Sequence, residues 1–255
     1  MGVNIPRRTC SANWPVSLSL SLRSGLILLL VAVLTNRIWI YSHIVFRPHI
    51  SSHTALDWIV EVGVVGLITV AMGVAVHFIT GVSITKILGL QKSDSKDLLK
   101  WGYVALAATS FNLALEIPSG FGPQYESELW FIFIRMIRSV LLIPFYEELI
   151  YRFLIYGIIR PRFGRWPAAI ISTVIFVFIH QSVQRALVAY SLTIVFLFFT
   201  HFSFGLLAAY LYETRRTLLP CVVIHAAVNL TYHSAPLIGY LIGGTIAKTE
   251  PPLLP

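Results

Sequence analysis

The sequence predicts an all-α fold, a polytopic membrane helix bundle of about eight transmembrane helices. Three observations predict it. Of 255 residues, 56% are apolar and only 12% are charged, where soluble domains carry about 25% charged residues; mean hydropathy is +0.78. Several runs reach the about 20 largely apolar residues that a spanning helix needs. Basic residues recur on alternate connections between those runs, as the positive-inside rule requires.

Helices are expected near 18–41, 57–80, 98–117, 128–159, 166–183, 186–212, 218–233 and 236–247. The first follows Arg7 and Arg8 and runs from Leu26 to Leu34 and on through Ile38, Trp39 and Ile40. A signal peptide shares this pattern, but no A-x-A-like site follows, so a retained helix is expected. Pro6 stands where a myristoylation motif wants Ser or Thr. The fourth run, of about 32 residues, would be roughly 48 Å long against a hydrocarbon core of about 30 Å, so it must tilt, protrude or break. Pro144, three residues before Glu147, is the expected kink. The last run holds Gly239 and Gly243 at small-xxx-small spacing, a signal for close packing. The turn-rich loop Ser119-Gly120-Phe121-Gly122-Pro123 separates the third and fourth runs.

Charge fixes an expected orientation. Arg7 and Arg8, then Lys86, Lys92 and Lys96, then Arg160, Arg162 and Arg165, then Arg215 and Arg216 all fall on one side of the alternation. The opposite connections are poor in positive charge: 42–56 has Arg47 with His43, His49 and His53, 118–127 has none, and 184–185 has Arg185. A cell-membrane, multi-pass protein with a cytoplasmic N-terminus follows. The net charge of +8 is therefore read against anionic headgroups and not against nucleic acid. Cys10 and Cys221 lie far apart and form neither a disulfide framework nor a metal-ligand spacing. One continuous membrane domain is expected, organised as N-terminal spans (1–127), a core (128–233), and a C-terminal short helix and tail (234–255).

Within that core, Pro144-Phe145-Tyr146-Glu147-Glu148-Leu149-Ile150-Tyr151-Arg152 sets two carboxylates and a guanidinium in an apolar run. An ionised side chain near a spanning helix centre costs roughly 2.5 to 3.5 kcal/mol, so such residues face the bundle interior and pair. Glu148 and Arg152, at i and i+4 with the acid first, make a favourable helical pair. Glu147 points about 100° away and has no partner in its own helix. It is the candidate general base; the alternative is that both glutamates only tie helices together. Two further apolar runs carry paired groups at i and i+4: Phe176 with His180, and His225 with Asn229. Counting from the cytoplasmic ends, Glu147 lies roughly 20 Å above Arg160, His180 roughly 22 Å above Arg165, and His225 and Asn229 roughly 13 and 20 Å above Arg216. Three helices thus offer polar groups within one layer of a bundle core. His77 and His201 lack polar company at helical spacing and read as structural residues.

Glu147-Glu148-x-x-x-Arg152, Phe176-x-x-x-His180 and His225-x-x-x-Asn229, in this order on successive membrane helices and with Phe204-Gly205-Leu206 ahead of the third, resemble the CPBP family. Its members are intramembrane proteases related to the CAAX prenyl proteases, and include bacteriocin-immunity proteins. The resemblance covers about 128–233; the first three helices resemble the family only in being hydrophobic. It implies an intramembrane endopeptidase that hydrolyses a peptide bond near the cytoplasmic membrane face. Glu147 and His180 would activate a water, His225 and Asn229 would hold the oxyanion, and Glu148 with Arg152 would support them. The implied partners are the lipid bilayer and a membrane-associated or prenylated peptide substrate, with no nucleic acid. Members are commonly called metalloproteases, and Glu147, His180 and His225 would be the ligands if zinc is bound. The chain has no H-E-x-x-H, and the favoured mechanism needs no cofactor. The other readings are a non-catalytic immunity or scaffold protein, or a proton-coupled transporter, using the same buried polar core.

Overall fold

The computed structural model describes residues 21–46, 55–89, 95–116, 133–134, 136–180 and 192–243. Among them there are eight helices and no strand. These are α1 (Leu22–Phe46), α2 (Ala55–Thr80), the short α3 (Ile84–Leu88), α4 (Ser95–Glu116), α5 (137–163), α6 (Arg165–Ile179), α7 (Leu192–Arg215) and α8 (Leu219–Gly243). The eight are not quite those expected. The connection after α2 contains α3, capped by the Ser83 hydroxyl, which accepts from the Lys86 N–H, and closed by Gly89 at φ 74°. The two helices expected at 218–233 and 236–247 are one, α8, which continues through Pro236. A proline costs a helix one hydrogen bond, and apolar bundles absorb that loss by local adjustment. Arg7, Arg8, Cys10, Arg47, Lys92, the 118–127 connection and Arg185 lie outside the described residues.

α5 is the centre of the bundle and packs against α1, α2, α6, α7 and α8, while α4 packs on α8. Its Leu149, Phe153, Leu154 and Tyr156 join Leu28 and Ala32 of α1, Met72 and Val76 of α2, and Leu211, Tyr212, Cys221 and Ile224 of α7 and α8 in one core. On both sides of Pro144, α5 changes its winding. It is π-wound over Ile137–Leu142, α-helical over Ile143–Glu148, π-wound again over Leu149–Tyr156 and α-helical over Gly157–Phe163. The segment carrying both glutamates is therefore framed by two wide-wound stretches, a feature frequent at functional sites.

Close approach of α6 and α7 depends on Gly205, since a Cβ there would lie 2.6 Å from Thr173 Cγ2. At the other end of the core, three basic connections meet. Glu213 of α7 accepts from Arg160 of α5 through Nε (3.0 Å) and Nη2 (2.8 Å), from the Tyr156 hydroxyl, and from Arg216 (3.3 Å). The Leu218 N–H donates to the Ile87 carbonyl at 3.0 Å, so the α2–α4 and α7–α8 connections touch.

Apolar side chains also face outward. Leu67, Val70, Val74 and Phe78 form an exposed stripe on α2, with Phe78 80% exposed. Among the described residues one stretch, Val62–Thr80, is long and apolar enough to cross a membrane by length and composition; shorter apolar stretches occupy 22–34, 98–107, 165–179 and 219–231.

Candidate active site

The four expected site residues come from three helices that all touch. α5 supplies Glu147, the end of α6 supplies His180, and α8 supplies His225 and Asn229. Glu147 Oε2 lies 3.8 Å from His180 Nε2 and 3.6 Å from His225 Nε2. Glu147 and His180 are each 23% exposed, whereas His225 is buried. The site thus has one rim open and one wall closed.

His180 departs from expectation in its backbone. Helix α6 ends at Ile179, and His180 is its C-cap in an extended conformation, φ −68° and ψ 121°. The end of a helix leaves carbonyls without a backbone donor. The Phe176 carbonyl is taken by His180 Nδ1 at 2.7 Å, and the His180 N–H goes to the Val177 carbonyl. A carbonyl only accepts, so Nδ1 carries the proton and Nε2 is the atom turned to Glu147. The ring also packs on Phe176, 4.3 Å between centroids.

His225 is fixed by the other glutamate. Its Nδ1 lies 2.8 Å from Glu148 Oε1, so here too Nε2 is presented to Glu147. Glu148 in turn has its Oε2 3.1 Å from Arg152 Nε, and both side chains are fully buried. The expected i, i+4 pair is present; its link to His225, 77 residues away in the chain, had no signal in the sequence. Arg152 Nη2 donates to the Gly205 carbonyl at 3.3 Å. The guanidinium lies over Phe176 at 4.9 Å and near the Tyr151 and Phe204 rings, each at 5.9 Å. Aromatic faces attract a cation more strongly when water is excluded. A line of contacts therefore runs from Gly205 through Arg152 and Glu148 to His225.

Asn229, one turn along α8 from His225, donates from Nδ2 to the Ser139 carbonyl of α5 at 2.7 Å. His201, read from the sequence as structural, has its ring 4.9 Å from that of His180 and 6.5 Å from Phe176. No periodic signal could have placed it there, because its neighbours belong to α6. His77 stays apart, with Nδ1 3.3 Å from the Val82 carbonyl at the end of α2.

Two imidazole Nε2 atoms and one carboxylate oxygen facing each other are the donor types zinc takes. Bonds of about 2.0 to 2.1 Å at tetrahedral angles would place ligand atoms about 3.3 Å apart, and the edges here are 3.8 and 3.6 Å. No group of three or more His, Cys, Asp or Glu among the described residues is placed to hold a metal ion. The arrangement as it stands does not form a metal cage, and no step below is routed through one.

Glu213, at the basic end of the bundle, is electrostatically distinct. Burial pushes its carboxyl up, but hydrogen bonds from Arg160 and Tyr156 and the charges of Arg216 and Arg160 outweigh burial and hold it below its ordinary value.

Residues 129–231 match the family model described as Type II CAAX prenyl endopeptidase Rce1-like. No curated protein and no solved structure matches the chain. The matched stretch contains Glu147, Glu148, Arg152, His180 and His225, whose side chains meet between α5, α6 and α8, and Asn229, whose amide donates to the Ser139 carbonyl of α5. Over residues 129–231 the chain is similar to the Type II CAAX prenyl endopeptidases, a family of membrane-embedded proteases.

Proposed function

We propose that this protein is an intramembrane endopeptidase that hydrolyses a peptide bond of a membrane-associated substrate, prenylated or otherwise lipid-anchored, with a water activated by Glu147 and His180. The observation that carries the reading is the convergence of His180 Nε2 and His225 Nε2 on one Glu147 oxygen, from three helices. With both Nδ1 atoms committed elsewhere, the facing atoms are acceptors, and a water between them supplies the missing O–H donors. Glu147 takes the water's proton as the oxygen attacks the scissile carbonyl, with His180 sharing it, and later returns it to the leaving amine. Asn229 donates to the oxyanion through Nδ2–H, and the His225 ring stands beside it, 3.6 Å from Glu147. One such donor is worth about 2.7 to 4 kcal/mol in the transition state of comparable sites. Glu148 and Arg152 hold His225 in the orientation this requires.

The chemistry is metal-free in this account. The active core is 128–233, and the chain crosses the membrane several times with its N-terminus in the cytoplasm. Orientation is supported by the meeting of Lys86, Arg160, Arg162 and Arg216 segments at one end of the bundle, the end that the positive-inside rule assigns to the cytoplasm. The exposed stripe on α2 supports lipid contact. A lipid-anchored substrate then approaches within the bilayer, each buried CH₂ of its anchor adding about 0.8 kcal/mol to partitioning.

The test is a set of three variants assayed on a farnesylated CAAX-type peptide. Glu147→Gln and His180→Ala each abolish nearly all turnover, and the double variant is little worse than either, because both act on one water. A scaffold would keep its cellular phenotype in Glu147→Gln. Retained cleavage in that variant, or losses that multiply in the double, would refute the shared-water reading.

A further inference from the structure

The hydrogen bond between Asn229 and the Ser139 carbonyl raises a question of backbone accounting. Buried carbonyls inside a helix are normally taken by the helix's own N–H groups. In the π-wound start of α5 the donors reach back five residues, and the last of them is the Ile143 N–H, bonded to the Arg138 carbonyl. The next bond of that ladder would run from residue 144 to the carbonyl of Ser139. Residue 144 is proline and has no N–H. The Ser139 carbonyl, on a buried residue, is left over by the winding, and the Asn229 amide fills it at 2.7 Å.

We propose that Pro144 is a positioning residue for Asn229: by withholding a backbone N–H it reserves the Ser139 carbonyl for Asn229 Nδ2, which clamps that amide between α8 and α5. An amide nitrogen carries two hydrogens. One is spent on Ser139, and the clamp fixes where the other points. This rests on the reading above, in which that second N–H serves the oxyanion. The proline is then useful for the donor it lacks, and a kink is secondary.

Alanine at 144 restores the N–H, which takes the Ser139 carbonyl and releases the Asn229 amide. P144A should therefore fold but lose at least about tenfold in kcat, part of the 10²- to 10³-fold that an oxyanion donor is worth, with little change in KM for the farnesylated peptide. In an N229A background P144A should cost no further turnover. A residue that keeps alanine's side chain but lacks the N–H, its α-hydroxy analogue lactate introduced at 144, should restore turnover to within about twofold of the wild type. Thermal unfolding gives an arm that needs no activity. N229A strands the Ser139 carbonyl and should melt below the wild type, and adding P144A should recover most of that drop, beyond any effect P144A has alone.

Wild-type kcat in P144A, or an equal loss from P144A in the N229A background, overturns the proposal. So does a lactate variant as slow as P144A, which would assign the effect to the ring. Absence of the melting rescue overturns the hydrogen-bond exchange itself. Activity surviving Glu147→Gln would instead overturn the protease reading and leave the melting result standing.

Discussion

Arg152→Met, alone and with Glu148→Gln, probes the buried link between the arginine and His225. Methionine keeps most of the side chain's volume, so the change is chiefly one of charge. In the single variant the Glu148 carboxylate stays fully buried with the His225 Nδ1–H as its remaining donor. Breaking a buried ion pair by removing one partner costs about 3 to 5 kcal/mol. The lost bond to the Gly205 carbonyl and the lost contact with the Phe176 ring fall within that range and are not additive to it. Adding Glu148→Gln neutralises the stranded charge while keeping a side-chain oxygen to accept from His225. Replacing both members of a buried pair is often nearly neutral, so the double variant should return to within about 1 to 2 kcal/mol of the wild type. Unfolding in mixed micelles with increasing sodium dodecyl sulfate, followed by circular dichroism, measures both. A cost below about 1 kcal/mol for Arg152→Met, or a double variant no more stable than the single, would refute the buried-charge argument.

Three further outcomes are expected. Gly205→Ala places a Cβ 2.6 Å from Thr173 Cγ2 and should cost about 1 to 3 kcal/mol by overpacking; Thr173→Ala in the same protein should recover most of it, measured by the same unfolding assay. Glu213 has a folded-state pKa below its ordinary value of 4.5, so its contribution to stability is present above that value and lost as pH falls through the lower folded value. Unfolding midpoints should drop on acidification through this window in the wild type and drop less in Glu213→Gln; parallel curves would show that Glu213 is not responsible. A single cysteine introduced at 119, in the expected outer connection, should react with an impermeant thiol reagent added from outside the cell, and labelling from the cytoplasm alone would invert the topology.

Much of the site was legible because helical periodicity is local. The i, i+4 spacing gave the Glu148–Arg152 pair, and the same spacing left Glu147 on another face. Depth counted along helices put Glu147, His180 and His225 in one layer, and their side chains do meet. The missed features belong to tertiary contact. The Glu148–His225 bond joins α5 to α8, and the tilted ring contact of His201 with His180 depends on how closely α7 crosses α6, which Gly205 sets. The end of α6 at Ile179 was missed because apolar character continues to the last residue, with no glycine or proline to stop it. Pro144 was read as a kink; the structure adds that it falls where the π-wound ladder would next reach the Ser139 carbonyl, which accepts from Asn229. Continuation of α8 through Pro236 has the converse reason: in an apolar bundle proline is a weaker stop signal than in water.

The central claim is that Glu147 activates the attacking water directly. Cleavage of the farnesylated CAAX-type peptide should be measured with purified protein after exhaustive chelation, with metal content determined by mass spectrometry on the same sample. The account predicts undiminished turnover by protein free of bound metal, lost when Glu147→Gln is treated identically. Turnover abolished by chelation and restored only by added zinc would contradict it.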